Sequence, residues 1–277
     1  MSPLPAHGVH GHGHDSGSGE LLALLPVAAV ALLAACYLLL WRRARHRNLA
    51  RAPRGARAAL FVTGCVLLAA ALSGPSHAFA ELDFRGHMLQ HLLIGMYAPL
   101  ALVLGAPITV LLLALPAARA RRLIRLLRGR PARALTRPWV ALLLSTGSLG
   151  VLYFTPLYQA TTVRPALHTL LHLHFLAAGC LFAWVIAGPD PTPGRPSVPA
   201  RLVVLGVAIA AHAITSQLLY AGFLIGVHAP ITQIRGGAEL MYYGGDVAEL
   251  LLAVALVTTW RPPPHAWVRV AERHPRG

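Results

Sequence analysis

The chain has 277 residues, 56% of them hydrophobic and only 12% charged, with a formal net charge of +15. A water-soluble domain carries about twice that charged fraction. The positive charge is no nucleic-acid footprint, because all 24 basic residues are arginine and sit in the connections between apolar blocks rather than along one face.

In chain order, residues 1–19 form a tail in which His7, His10, His12 and His14 stand among glycines. Such a segment either collects copper, zinc or nickel, or is a disordered tail with incidental histidines. A membrane domain follows over 20–260, with apolar blocks at 20–41, 57–79, 86–115, 139–158, 165–188, 201–226 and 238–260, and a basic tail over 261–277 closes the chain. Blocks of about 20 residues match a hydrocarbon core of ~30 Å crossed at 1.5 Å per residue. The expected fold class is therefore all-α: a polytopic integral membrane bundle of about seven transmembrane helices. No Arg or Lys precedes the first block and a positive cluster follows it, so it reads as a retained helix rather than a cleavable signal. The third block carries Pro99, Gly105 and Pro107, which predict a kink or short break, since proline removes a backbone donor. Residues 119–130 interleave Arg with Leu123, Ile124, Leu126 and Leu127 and predict a helix lying on the lipid surface. The run Gly188-Pro189-Asp190-Pro191 through Pro196 predicts a rigid turn.

Arginine placement sets the expected orientation. The first connection carries seven (42–57), the third eight (119–137), the fifth Arg195 and Arg201, and the C-terminal tail four. The opposite side has only Arg85, Arg164 and Arg235. The positive-inside rule then puts the N-terminus outside and the C-terminus in the cytoplasm. Cys36, Cys65 and Cys180 lie inside apolar blocks, which argues against a disulfide framework; they read as small buried hydrophobes, with transfer of a soft metal as the alternative.

Ionisable groups inside a bilayer are costly and usually functional. His87 and His91 share one helix face, with Gln90 beside them, and His168 and His172 repeat the spacing; His174 points elsewhere and reads as structural. His212 follows in the sixth block, with Ser216 and Tyr220 on nearly the same face. Glu239, Tyr242, Asp246 and Glu249 occupy the seventh. On the expected orientation His87, His91, His168, His172 and Asp246 lie within roughly 12 Å of the outer boundary, and His212 lies nearer mid-membrane. His77 and His228 sit at outer boundaries. Two imidazole pairs at matching depth suit a copper, zinc or iron site, for which the candidate ligands are His87, His91, His168, His172, His212 and Asp246. A proton path or interhelical hydrogen bonding would use the same residues.

The motif Arg85-Gly-His-Met-Leu-Gln-His91, followed by Ala98-Pro99 and Leu104-Gly-Ala-Pro107, resembles the signature of the bacterial CtaG-type cytochrome c oxidase assembly proteins. His168-Thr-Leu-Leu-His172-Leu-His-Phe175 and Gly188-Pro-Asp-Pro191 look like that family's second motif and the loop after it. The likeness covers about residues 60–260. It implies a factor in the bacterial plasma membrane that helps build a haem-copper oxidase, with the oxidase subunit and the lipid bilayer as partners and no nucleic acid. It further implies that His87, His91, His168 and His172 form the functional core.

Three readings follow. A non-enzymatic factor would bind copper through these histidines and hand it to an oxidase subunit, with Met88 or Met241 as a possible soft ligand. A haem-binding electron carrier would take one imidazole from each pair. A proton or metal transporter would continue inward through His212, Asp246 and Glu249. A retinal sensor is excluded because there is no Lys for a Schiff base. No nucleophile with a matched base, phosphate loop or dinucleotide turn stands out, so no catalytic turnover is expected.

Overall fold

A computed structural model describes residues 16–47, 54–223 and 225–258. Every regular element among them is helical. In order they are α1 (Ser16–Arg47), α2 (Gly55–Leu72), α3 (Gly74–Leu82), α4 (Phe84–Leu92), α5 (Ala98–Leu104), α6 (Pro107–Ala114), α7 (Ala117–Leu127) and α8 (Arg130–Leu135). Then come α9 (Pro138–Leu142), α10 (Ser148–Phe154), α11 (Leu157–Val163), α12 (Pro165–Ile186), α13 (Val198–Ala221) and α14 (Ile231–Thr258). Proline opens the first turn of α3, α6, α8, α9, α12 and α13, where its missing N–H has no intrahelical partner to lose. The expected tail histidines and the basic C-terminal segment lie outside the described residues.

Among the described residues six helical stretches are long and apolar enough to cross a bilayer: Leu24–Arg47, Gly55–Leu72, Phe84–Ala114, Pro165–Ile186, Val198–Ala221 and Ile231–Thr258. The bent pair Pro138–Phe154 and Leu157–Val163 makes a seventh if counted as one span. This is the architecture of a multi-pass membrane protein. Large apolar side chains project outward along the spans, among them Leu32, Leu39, Val66, Leu173, Val203, Ile214 and Val254. That exposed apolar belt is the surface a bilayer covers. Cys36 is exposed on α1, Cys65 is buried and Cys180 is half-buried, so of the three cysteines Cys36 is not the buried hydrophobe the sequence suggests.

The fourth apolar block departs from expectation. In place of one helix over 139–158, the chain turns by 79° between α10 and α11. Pro156 disfavours a helical residue before it, and Thr155 is extended (φ −125°, ψ 168°).

The third block breaks as the prolines predict, in two ways. A five-residue π-turn, Leu93–Tyr97, joins α4 to α5. Farther on the chain interrupts at Gly105-Ala106, where Ala106 takes a left-handed conformation (φ 56°, ψ 52°) before Pro107. A non-glycine residue rarely adopts this region, so neighbouring groups must hold it. Tyr37, stacked on Phe61 at 3.7 Å, donates to the Gly105 carbonyl at 2.7 Å. The buried Asp190 carboxylate accepts from Ile108 N–H at 2.9 Å, Thr109 N–H at 2.7 Å and Thr109 Oγ1 at 2.6 Å. It thereby caps α6 from 81 and 82 residues away in sequence, as an anion at a helix N-terminus. Arg195 holds the turn that presents Asp190, donating to the Gly188 and Asp190 carbonyls and to Thr192 Oγ1. The proline-rich turn is therefore a clamp on the broken third span.

Replacing Asp190 leaves two part-buried N–H groups, those of Ile108 and Thr109, without their acceptor. Asp190→Ala is expected to cost about 2 kcal/mol and lower the thermal unfolding midpoint in detergent. Asp190→Asn, which keeps one acceptor oxygen, is expected to lose less. Equal midpoints for all three proteins would rule out the clamp.

Candidate functional site

The polar residues of α4, α12, α13 and α14 meet along one line through the bundle. It begins at the arginine-poor end, where Asp83 caps α4 by accepting from Arg85 N–H at 2.8 Å. The Arg85 guanidinium also donates to both Asp83 oxygens and holds that carboxyl below the usual carboxylate range. Next to it a vestibule of about 310 Å³ is lined by His77, Glu81, His87, Tyr158, Thr161 and His168. His77 on α3 lies 3.4 Å from Glu81 and stacks with His168 at a ring separation of 6.0 Å. His168 and His172, one turn apart on α12, have rings 4.2 Å apart.

His87 and His91 are each only 6% exposed. Aromatic walls fix them. Tyr158 meets the His87 ring edge-on at 4.9 Å, Tyr153 Oη stands 3.4 Å from His87 Nε2, and Phe175 packs edge-on against His91 at 4.6 Å. A neck of only about 10 Å³ lies among His87, His91, His172 and Phe175. Beyond it an inner cavity of about 50 Å³ is lined by His91, Ser145, Thr146, His212 and Glu249, with Leu100, Phe182, Ala183 and Leu252 also in its wall. His87 thus lines both vestibule and neck, and His91 both neck and inner cavity.

Two backbone irregularities flank the inner cavity. Gly95 and Met96 belong to the π-turn of the third span, and Ser145 and Thr146 to a second π-turn, Leu143–Gly147, between α9 and α10. π-turns cost helical hydrogen bonding and concentrate at functional sites. His174 steadies the second, its Nε2 donating to the Leu144 carbonyl at 3.1 Å, which fits its structural reading.

Of the expected ligands, the structure gathers His87, His91, His168, His172 and His212 along this line and leaves Asp246 aside. Asp246 is half-buried on α14 and lines none of the three cavities. The carboxylate that reaches the inner cavity is Glu249, 4% exposed, with Oε1 3.6 Å from Nδ1 of His212, itself 3% exposed. Among the described residues neither His212 Nε2 nor Glu249 Oε2 has a hydrogen-bond partner. Among the described residues no three His, Cys, Asp or Glu side chains stand close enough together to enclose a metal ion.

Other neighbours resolve differently. Gln90 turns away from the histidines and donates to the Ala71 carbonyl at 2.9 Å. Ser216 donates back to the His212 carbonyl at 3.0 Å, and Tyr220 lies at the surface beneath Arg235. Met88 and Met241 are fully buried in the apolar core, and Met88 Sδ accepts from Tyr153 Oη at 3.7 Å. His228 is exposed, with Nδ1 3.3 Å from Gln159 Oε1, and Glu239 is exposed on α14.

Sequence reasoning passed over Tyr153, Tyr158, Ser145 and Thr146, and ranked Asp246 above Glu249. The signal for Glu249 was the Gly244-Gly245 pair. Small residues mark where a membrane helix approaches its neighbour closely, and Gly245 and Glu249 lie one turn apart on that side.

The sequence model of the cytochrome c oxidase caa3 assembly factor family matches residues 35–262. An uncharacterized protein of Mycobacterium bovis and one of Mycobacterium tuberculosis are each 31% identical over 235 residues, covering 78% of this chain and 35% of their own length. An uncharacterized protein of Mycobacterium leprae is 30% identical over 240 residues, 79% of this chain and 36% of that protein. The chain therefore spans about a third of the length of the curated relatives it matches. No solved structure matches it.

The packing behind His212 makes a prediction. A Cβ at Gly245 would fall on the His212 imidazole, inside van der Waals contact with Cε1 and Nδ1. Gly245→Ala is expected to lower the thermal midpoint by displacing that ring. Gly245→Ala/His212→Ala, which removes the obstacle, is expected to recover part of the loss, a coupling readable in a double-mutant cycle. Strictly additive losses would show that the two positions do not meet.

Proposed function

The chain belongs to the cytochrome c oxidase caa3 assembly factor family, and from that premise we propose that it collects copper at the vestibule and passes it to a subunit of a haem-copper oxidase. The observation that carries this reading is the gathering of His77, His87 and His168 around one cavity at the arginine-poor end, with His172 at the neck beside it. By the positive-inside rule that end faces outward across a bacterial plasma membrane. Imidazole is a good copper ligand, and loosely arranged imidazoles suit a metal that must be released. Delivery would require no catalytic turnover.

Two features favour delivery over the alternatives. Haem ligation by one imidazole from each pair needs room for a macrocycle between them, whereas the space among His87, His91 and His172 is only about 10 Å³. A transporter needs polar groups through to the arginine-rich end, and beyond Glu249 the bundle is filled by an apolar cluster that includes Leu100, Val103, Ile186, Leu205 and Leu256.

The test uses the full chain with His7, His10, His12 and His14 changed to Asn, purified in detergent. It is expected to be colourless and to bind Cu(I). His168→Ala/His172→Ala is expected to weaken binding by at least about tenfold, the scale on which metal sites respond to lost support. A Soret band in the purified protein, or copper binding undiminished in the variant, would overturn delivery.

A further inference from the structure

At the arginine-rich end the third span stops at Ala114, and after the extended residues Leu115 and Pro116 the chain enters α7. This helix has two faces. Ala120, Leu123, Ile124 and Leu127 recur at helical spacing and are partly covered, whereas Arg119, Arg121, Arg122, Arg125 and Arg128 are exposed. Among the described residues none of the five arginines forms an ion pair. The sequence holds no Asp or Glu between Asp83 and Asp190, and Asp190 is committed to Ile108 and Thr109. A row of cations without compensation draws an anion from outside the chain. Topology alone accounts for arginines in this connection, but not for the hollows beside them.

Two hollows share Ile124 as a wall. One, of about 230 Å³, runs between α6, α7 and the proline-rich turn, lined by Leu112, Ile124, Leu127, Arg128 and residues 191–193. The other, of about 420 Å³, lies against Ala118, Arg121, Ile124 and Arg125. The first is mainly apolar and the second carries two guanidinium groups. Together, at the end of a membrane span, they match a molecule apolar at one end and anionic at the other. We infer that α7 and the proline-rich turn form a binding site for one anionic phospholipid, its phosphate on Arg121 and Arg125 and part of an acyl chain in the groove. Guanidinium groups pair with phosphate through parallel N–H donors, and a basic two-faced helix lies at the headgroup level with its apolar side toward the chains. A free phosphate would use the same arginines but leave the groove unfilled. An acidic protein segment would leave Leu112, Ile124 and Leu127 without an apolar partner. The turn that walls the groove also presents Asp190 to α6, so a lipid seated here braces the clamp on the broken third span.

The experiment titrates the full chain, in an uncharged detergent, with phosphatidylglycerol or with phosphatidylcholine of the same acyl chains. Bound lipid is counted by native mass spectrometry on protein that elutes as a single folded species. The unaltered chain is compared with Arg121→Gln/Arg125→Gln and with Arg42→Gln/Arg43→Gln. The second pair removes equal charge from the exposed end of α1 and lines neither hollow. Phosphatidylglycerol is expected to bind the unaltered chain about 25-fold more tightly than phosphatidylcholine, at about fivefold for each of two basic residues at an anionic lipid surface. Arg121→Gln/Arg125→Gln is expected to bind the two lipids alike, and Arg42→Gln/Arg43→Gln to keep the preference. Equal binding of the two lipids by the unaltered chain, or a preference kept by Arg121→Gln/Arg125→Gln, would overturn the site. A preference lost equally from both variants would reduce it to diffuse charge and overturn it as well. Displacement of the lipid by inorganic phosphate at the lipid's own concentration would overturn the part given to the acyl groove. Displacement by a poly-glutamate peptide that binds the unaltered chain but not Arg121→Gln/Arg125→Gln would give the face to an acidic protein segment instead.

Discussion

A bilayer offers no water to a polar group, and most of this architecture follows from that shortage. Each N–H, C=O or side-chain polar atom within the hydrocarbon must find a partner inside the protein or cost several kcal/mol. Where the helices break, partners are supplied. Tyr37 takes up the carbonyl freed at Gly105, Asp190 caps α6 at Ile108 and Thr109, and His174 reaches the Leu144 carbonyl in the second π-turn. Serine and threonine hydroxyls at 148, 215 and 216 return to carbonyls of their own helices. Among the described residues six buried side-chain atoms lack such a partner, and of these only His212 Nε2 and Glu249 Oε2 belong to residues that line the inner cavity.

Small residues make the convergence possible. A Cβ at Gly179 would collide with the Gly95 carbonyl, so α12 crosses the π-turn of the third span backbone to backbone. That crossing brings the His91 and Phe175 rings to a separation of 4.6 Å. Gly245 plays the same part for α14 against His212. In a membrane, close approach of this kind drives association, because lipid tails are as apolar as leucine side chains. The glycines that hold the bundle together are the ones that bring the imidazoles into line, so stability and site geometry cannot be separated at these positions.

The spans were legible in the sequence because hydrophobic length is a one-dimensional property. The break in the third span was legible too, because Pro99, Gly105 and Pro107 act locally. The bend at Thr155-Pro156 was not, because the apolar run continues across it and length alone counts 139–158 as one crossing. The two imidazole pairs announced themselves by their spacing. Helical phase did not distinguish Asp246 from Glu249, which both lie within a broad arc of α14; tertiary packing turned Glu249 inward and left Asp246 half-buried. Compartments are further from reach, since whether five histidines make one site or two depends on where Tyr153, Tyr158 and Phe175 place their rings. Asp190 belongs to the same class: the turn was visible, but its acceptor role on α6 needed the fold.

The line of histidines is graded, and the gradient bears on direction. At the vestibule the rings are partly exposed and loosely arranged, at the neck they are buried among aromatic rings, and at the inner cavity an imidazole meets a carboxylate. Past Glu249 the packing is apolar, in the cluster containing Leu205, Leu252 and Leu256. On the delivery reading a cation entering this path would meet a carboxylate at either end, Glu81 at the vestibule and Glu249 within, and then an apolar wall, so the way out would be the way in. On that reading a path closed at one end would store and return an ion instead of carrying it across. On the proposed orientation, storage and return occur on the extracytoplasmic side, where an oxidase subunit awaiting its copper would receive it.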